Sequence, residues 1–205
     1  IPKPALTDIS GIAGLLEAYP QEIRGLKVRI SKAIVGPFGK APLEQALALG
    51  ERFHVPVCVH CTDPCIPMAE FADMLRPGDI LCHLYHGKGS TILDDSGKVL
   101  PEVLQAAKRG VIMDCANGRT NFSFETAKKA LDQGFLPTVI STDLTAATVS
   151  KGQMVRNLPF LLSKYLNLGL SMSQIIPCVT TQPAKALSLT DGTGTLRPGT
   201  QADVA

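Results

Sequence analysis

No run of apolar residues in this 205-residue chain approaches the roughly 20 needed to cross a bilayer. The opening Ile1-Pro2-Lys3-Pro4 has neither the basic n-region nor the apolar h-region of a secretory signal. A membrane partner is therefore not expected, and the sequence reads as cytoplasmic. A dense basic run is also missing: 20 Lys and Arg are scattered among 18 Asp and Glu, for a net charge of +2. Nucleic acid, which needs a concentrated positive surface, is an unlikely partner on that count. No glycine-rich loop of the G-x-G-x-x-G or Walker type follows a β-rich run, so the usual support for a nucleotide-binding sheet is absent. There is no internal repeat, no low-complexity segment and no paired C-x-x-C motif. The six cysteines do not outline a disulfide scaffold either, because a chain with 45% hydrophobic residues can build a core without staples. They are expected to be reduced and to serve as packing.

What the sequence does have is a rhythm. Short, mostly apolar runs at 26–30, 55–60, 79–84, 111–115 and 138–141 alternate with amphipathic stretches at 43–52, 68–75, 98–108 and 124–132. Strands buried on both faces, joined by crossover helices, produce this pattern. Gly50, Gly110 and Gly134 follow helical stretches as stops, while Pro77-Gly78 and Pro137 precede strands, where the missing N–H costs no ladder bond. After Ser141 the pattern turns helical, at 152–166, 171–177 and 180–187, before a turn-rich tail, Gly194-Thr195-Leu196-Arg197-Pro198-Gly199. Five βα units are too few to close an eight-stranded barrel of ordinary size, and suit either part of one or a five-stranded doubly wound sheet.

The polar residues at the strand ends favour the barrel. His60 ends Val57-Cys58-Val59-His60, His83 ends Asp79-Ile80-Leu81-Cys82-His83, and Asp143 follows Val139-Ile140-Ser141-Thr142. Lys27 lies inside Gly25-Leu26-Lys27-Val28-Arg29-Ile30, where a buried strand has little use for an ammonium. Taken singly, each has a plain structural reading: a hydrogen-bonded histidine, a snorkelling lysine, an aspartate capping a loop. Together they place two imidazoles and a carboxylate on the rim where α/β barrels carry their sites, a donor set that suits a divalent metal such as zinc. Arg29 and His86 lie close enough in sequence to reach the same rim.

The ordered set Lys27, His60, His83, Asp143, with Arg76-Pro77-Gly78-Asp79, Phe122-Ser123-Phe124 and Gln182-Pro183-Ala184-Lys185-Ala186-Leu187, resembles the amidohydrolase superfamily, in particular its amidohydrolase/deacetylase, dihydroorotase-like branch. The resemblance implies a (β/α)8 TIM-barrel metallohydrolase, with residues 1–190 forming an incomplete barrel and 191–205 beginning the return to a small β-domain. It also implies two divalent metals, zinc foremost, bridged by a carboxylated Lys27. One metal is then held by His60 and His83 and the other by Asp143, which also moves the proton from the attacking water to the leaving group. Carboxylation requires Lys27 as the neutral amine, hence a depressed pKa. Arg29, His86 and Asn117 are the expected substrate contacts. Two departures stand out. The His-x-His pair of the family's first strand is absent, for the only histidines are His54, His60, His83 and His86. The chain is accordingly expected to be a fragment whose first strands lie upstream of Ile1. Asn117-Gly118 also stands where the branch often has His-Gly, and an amide cannot titrate. The expected activity is hydrolysis of an amide or ester of a small molecule, deacetylation in the first place. A cyclic amidohydrolase and a non-catalytic barrel relative are the alternatives, and a homo-oligomer is a possible assembly.

Overall fold

In a computed structural model, residues 7–146, 148, 155–189 and 191–200 are described. Four short strands form one parallel sheet in the order β1-β2-β3-β4: β1 (Leu26–Arg29), β2 (Val57–His60), β3 (Ile80–Cys82) and β4 (Ile112–Asp114). Helix α1 (Ile9–Ala18) precedes the sheet, and α2 (Lys32–Val35) with α3 (Ala41–Arg52) connects β1 to β2. Helices α4 (Met68–Met74), α5 (Pro101–Arg109) and α6 (Phe124–Asp132) follow β2, β3 and β4, and α7 (Leu158–Asn167), α8 (Met172–Val179) and α9 (Thr181–Ala186) complete the described chain. Sequential parallel neighbours with an intervening helix are the βα repeat that the hydrophobic rhythm foretold.

The helix ends are chemically marked. Pro101 opens α5, where its missing N–H is no loss, and Gly110 closes it in the left-handed conformation at φ 98°. Ser123 caps α6 by accepting from the Thr126 amide, and Ser171 with Gln174 forms a capping box on α8. Asp79, fully buried, ties two strands together. Its carboxylate accepts from the Val57 amide at 2.8 Å, from the Arg76 amide at 2.8 Å, and from two nitrogens of the Arg76 guanidinium at 3.0 and 2.8 Å.

Register divides the sheet into two unlike faces, because alternate residues of a strand point to opposite sides. Val57, Val59, Leu81 and Met113 lie on one face and are all buried, in a core with Leu43, Phe71, Val103 and Ala106 from the covering helices. On the other face Lys27 pairs with Cys58 and Cys58 with Ile80, and in the next layer Arg29 pairs with His60, His60 with Cys82, and Cys82 with Asp114. That face is polar at its C-terminal edge.

Several expectations are corrected in detail. The strand expected at 138–141 is reduced to one parallel bridge, Asp114 to Val139. Pro137 has no N–H to donate, and the Thr138 and Val139 amides both converge on the Met113 carbonyl, which breaks the ladder's spacing. The segment still runs along β4, through Cys115 to Val139 and Asn117 to Ser141 hydrogen bonds. Helix α1, preceding the first strand, had no counterpart in the sequence reading, and the helix expected at 98–108 starts only at Pro101. Residues 152–154 of the helix expected at 152–166 lie outside the described residues, and α7 begins at Leu158. Of the expected β-domain approach, 191–200 is turn-rich and 201–205 lies outside the described residues.

Candidate metal centre

The polar face ends in loops with a shared conformational signature. Asp63, His83, Ala116 and Asp143, the residues that carry the chain away from β2, β3, β4 and the segment along β4, have φ of 51°, 72°, 34° and 51°. Non-glycine residues avoid this region unless their surroundings impose it, and such strain gathers at functional sites. It is what turns His83 off the end of β3 and back toward β2.

His60 and His83 meet there. His83 Nε2 lies 2.6 Å from His60 Nδ1, with the rings edge to face at 4.1 Å between centroids. The other nitrogen of His83, Nδ1, is 2.6 Å from the Ala116 carbonyl oxygen. A carbonyl can only accept, so Nδ1 carries the hydrogen and Nε2 offers its lone pair toward His60. This is the arrangement by which metal-ligating histidines are held. Both rings are buried, and both are kept neutral. Burial, then the charge of His83, pulls His60 down to about 3, while burial lowers His83 against the opposing pull of its bond to Ala116. Neutral imidazole is the form that binds a cation. His60 Nε2 has no hydrogen-bond partner among the described residues. The pair is therefore in the neutral form that binds a divalent ion; among the described residues His60 Nε2 is free, but no group of three His, Cys, Asp or Glu side chains assembles around it.

Lys27 is one layer below. Its Nζ donates to Cys58 Sγ at 3.2 Å and to Cys82 Sγ at 3.1 Å. The depressed pKa expected of it is corrected. The side chain is exposed on β1 yet partly desolvated at its tip, which works against its charge, but the two sulfurs outweigh that and hold the ammonium above its ordinary value. The hydrogen bond from the Cys82 thiol, aided by Lys27, brings Cys58 down to about 7 against its burial. These two cysteines, expected as packing, belong to the polar face. The sequence did signal them: Cys58 and Cys82 share the parity of His60 and of Ile80 in their strands, and strand parity sets the face.

Asp143 stands across the rim. Asn121 Nδ2 donates to its Oδ2 at 3.4 Å, and a side chain at Gly118 would collide with that oxygen at 2.5 Å. Asp114, which sequence reasoning passed over, is buried at the same layer as Cys82; burial raises its pKa, although Ser141 Oγ donates to both its oxygens at 2.8 and 3.0 Å. Of the expected substrate contacts, Arg29 Nε donates to Ser31 Oγ at 3.3 Å. His86 is fully buried, its Nδ1 accepting from the Lys88 amide at 3.3 Å and its Nε2 without a partner among the described residues. Asn117, also fully buried, accepts from Lys164 Nζ at 2.8 Å through Oδ1 and donates to Tyr165 Oη at 3.1 Å through Nδ2. No helix of the described residues is long and apolar enough to cross a membrane.

A sheet of consecutive parallel βα units with paired imidazoles at its C-terminal rim is the arrangement of part of a (β/α)8 barrel with its polar groups at the usual end. The chain is a member of the Amidohydrolase family, which matches residues 16–205. It is 33% identical to a deacetylase of Brucella anthropi over 196 residues, 91% of this chain and 47% of that protein. To a deacetylase of Enterococcus faecalis it is 31% identical over 211 residues, 100% of this chain and 57% of that protein. Among solved structures, an adenine deaminase superposes with a TM-score of 0.91 at 30% identity, covering 98% of this chain and 55% of that one. A dihydroorotase does so at 0.85 and 29% identity, covering 98% and 51%. The chain thus spans about half the length of these relatives.

Proposed function

We propose that the full-length protein is a metal-dependent hydrolase that removes an acyl group, acetyl in the first place, from an amide or ester of a small molecule. The observation that carries this reading is the His60–His83 pair, two neutral imidazole nitrogens 2.6 Å apart with His83 anchored on the Ala116 carbonyl. These two residues would hold one divalent cation, zinc foremost. When bound, the cation supplies Lewis-acid activation of water and of the scissile carbonyl. Ala116 holds the His83 ring in place, burial keeps both rings neutral, and an ion held by both would displace the hydrogen that His60 now gives to His83.

Asp143 would accept the proton of the attacking water and deliver it to the leaving nitrogen or oxygen. Its placement by the strained turn after segment 138–142 supports the role. Once it gives up its ammonium proton, Lys27 would take up carbon dioxide, forming an N–C bond and releasing a second proton to solvent, and the anionic carbamate so formed would serve as a further cation ligand. The thiols of Cys58 and Cys82 now occupy its donors. Arg29, His86 and Asn117 would contact substrate or support the residues that do. The resemblance of the relatives named deacetylases supports acyl removal, whereas the dihydroorotase structure favours a second reading, opening of a cyclic amide.

The test uses the full-length protein loaded with zinc. Turnover of an N-acetyl amino acid over a cyclic ureide supports deacetylation, the reverse supports the second reading, and no turnover of either overturns both. Elemental analysis should find about two divalent ions per chain, and the Lys27 peptide should carry the mass of bound carbon dioxide.

A further inference from the structure

Among the described residues, Lys164 is the one strongly desolvated cation on the rim that the proposed chemistry does not use. It projects from α7, half-buried, and its Nζ stands 3.1 Å from the centroid of Phe122 and 4.9 Å from that of Phe124. One of its hydrogens goes to Asn117 Oδ1 at 2.8 Å. Among the described residues no carboxylate lies within ion-pair distance of it. Where other half-buried cations of this chain are matched, as Arg76 is by Asp79 and Glu51, Lys164 has only ring faces and an amide oxygen. Burial brings it down to about 8.

Its position ties it to the candidate centre. Asn117 follows the end of β4, its amide donates to Ser141 and that of Gly118 to Thr142, and Gly118 lies directly against Asp143 Oδ2. Lys164 thus reaches the same rim as Asp143 through two consecutive residues, Asn117 and Gly118. The aromatic floor is rigid: Phe122 packs edge to face on Tyr85, Phe124 and Tyr165.

We propose that Lys164 is a specificity-determining residue that receives a carboxylate of the substrate, with Phe122 and Phe124 providing the apolar wall beside it. Two N–H groups remain after the bond to Asn117, enough for a carboxylate, and a partly desolvated ammonium binds such a group far better than its uncharged amide. Cation–π contact keeps the side chain in place before the anion arrives. The inference takes its site from the proposed hydrolase, and its test does not depend on turnover.

The probe is a simple unreactive carboxylate, phenylacetate, against phenylacetamide, titrated calorimetrically into the zinc-loaded full-length protein. The wild type is expected to prefer the carboxylate roughly ten- to hundredfold. Lys164→Met should abolish the preference and Lys164→Arg restore much of it, with thermal unfolding confirming that both variants fold. If Lys164→Met unfolds, the Lys164→Arg protein and the salt dependence of carboxylate binding by the wild type decide. A wild type that does not discriminate, or a preference that survives in Lys164→Met because the metal alone provides it, overturns the inference while leaving deacetylation assays to stand. Conversely, a protein that hydrolyses no acyl substrate yet shows the Lys164-dependent preference loses the proposed activity and keeps this site.

Discussion

His83 shows how much a single residue can decide. Its φ of 72° bends the chain off β3, its Nδ1 is committed to Ala116, and its Nε2 is left facing His60. Replacing His83 with Ala should lower zinc affinity by well over tenfold while the fold persists, read by competition with a chromogenic chelator; unchanged affinity would place the metal elsewhere. Replacing Asp143 with Asn should instead spare the histidine pair and reduce kcat by roughly 10²–10⁴, the range for a lost general acid–base group. A variant with normal kcat would remove Asp143 from proton transfer. The pH behaviour of Lys164 follows from its depressed value of about 8. The residue is cationic below that pH and neutral above it, so preference for a carboxylate should be full near neutrality and decline as pH rises through about 8. The titratable group facing it is the Cys115 thiol, which burial pushes well above its ordinary value and which stays neutral through that window.

Between elements, Asp79 is the most consequential polar residue. It is fully buried, completes the start of β2 through the Val57 amide and fastens Arg76 to the same corner. Asp79→Ala would leave the Val57 and Arg76 donors without an acceptor and should cost about 3 kcal/mol in chemical denaturation, as removal of one partner of a buried charged network does. A loss below about 1 kcal/mol would mean that water replaces the carboxylate without penalty. The same reasoning explains why 138–142 is not a regular strand. The Thr138 and Val139 amides go to β4 but that of Ile140 goes to the Cys178 carbonyl, and proline at 137 and two donors on one carbonyl disturb the period, which an apolar run cannot show.

Across the whole molecule, the described strands differ in their surroundings. β1 pairs only with β2 among the described residues, and Lys27 and Arg29 are exposed on it, whereas β2 and β3 are paired on both sides over a fully buried apolar face. Hydrogen exchange followed by mass spectrometry should therefore show β2 and β3 amides among the last to exchange, well after those of the turn-rich segment 191–200, because core strands open only with the core. Equal exchange in the two segments would mean that the sheet opens as readily as its loops.

The alternation of short apolar runs with amphipathic stretches determined the parallel βα architecture and the place of its four strands, since burial on both faces and crossover helices leave a periodicity any reader can count; a fifth run, 138–141, reads the same way and forms only a bridge. It also located His60 and His83 at strand ends and Asp143 just past the fifth run, because those positions follow from where apolar runs stop. Other features belonged to the tertiary structure alone. Which strand residues face one another depends on register, so the approach of Lys27 to Cys58 and Cys82, and hence its raised rather than lowered pKa, was not visible in the chain. The meeting of Asn117 with Lys164, 47 positions apart, is decided by where α7 lands on the rim. Sequence periodicity records which side of an element is buried; it does not record which distant side chain fills the space opposite, and the chemistry of this rim is made of such pairs.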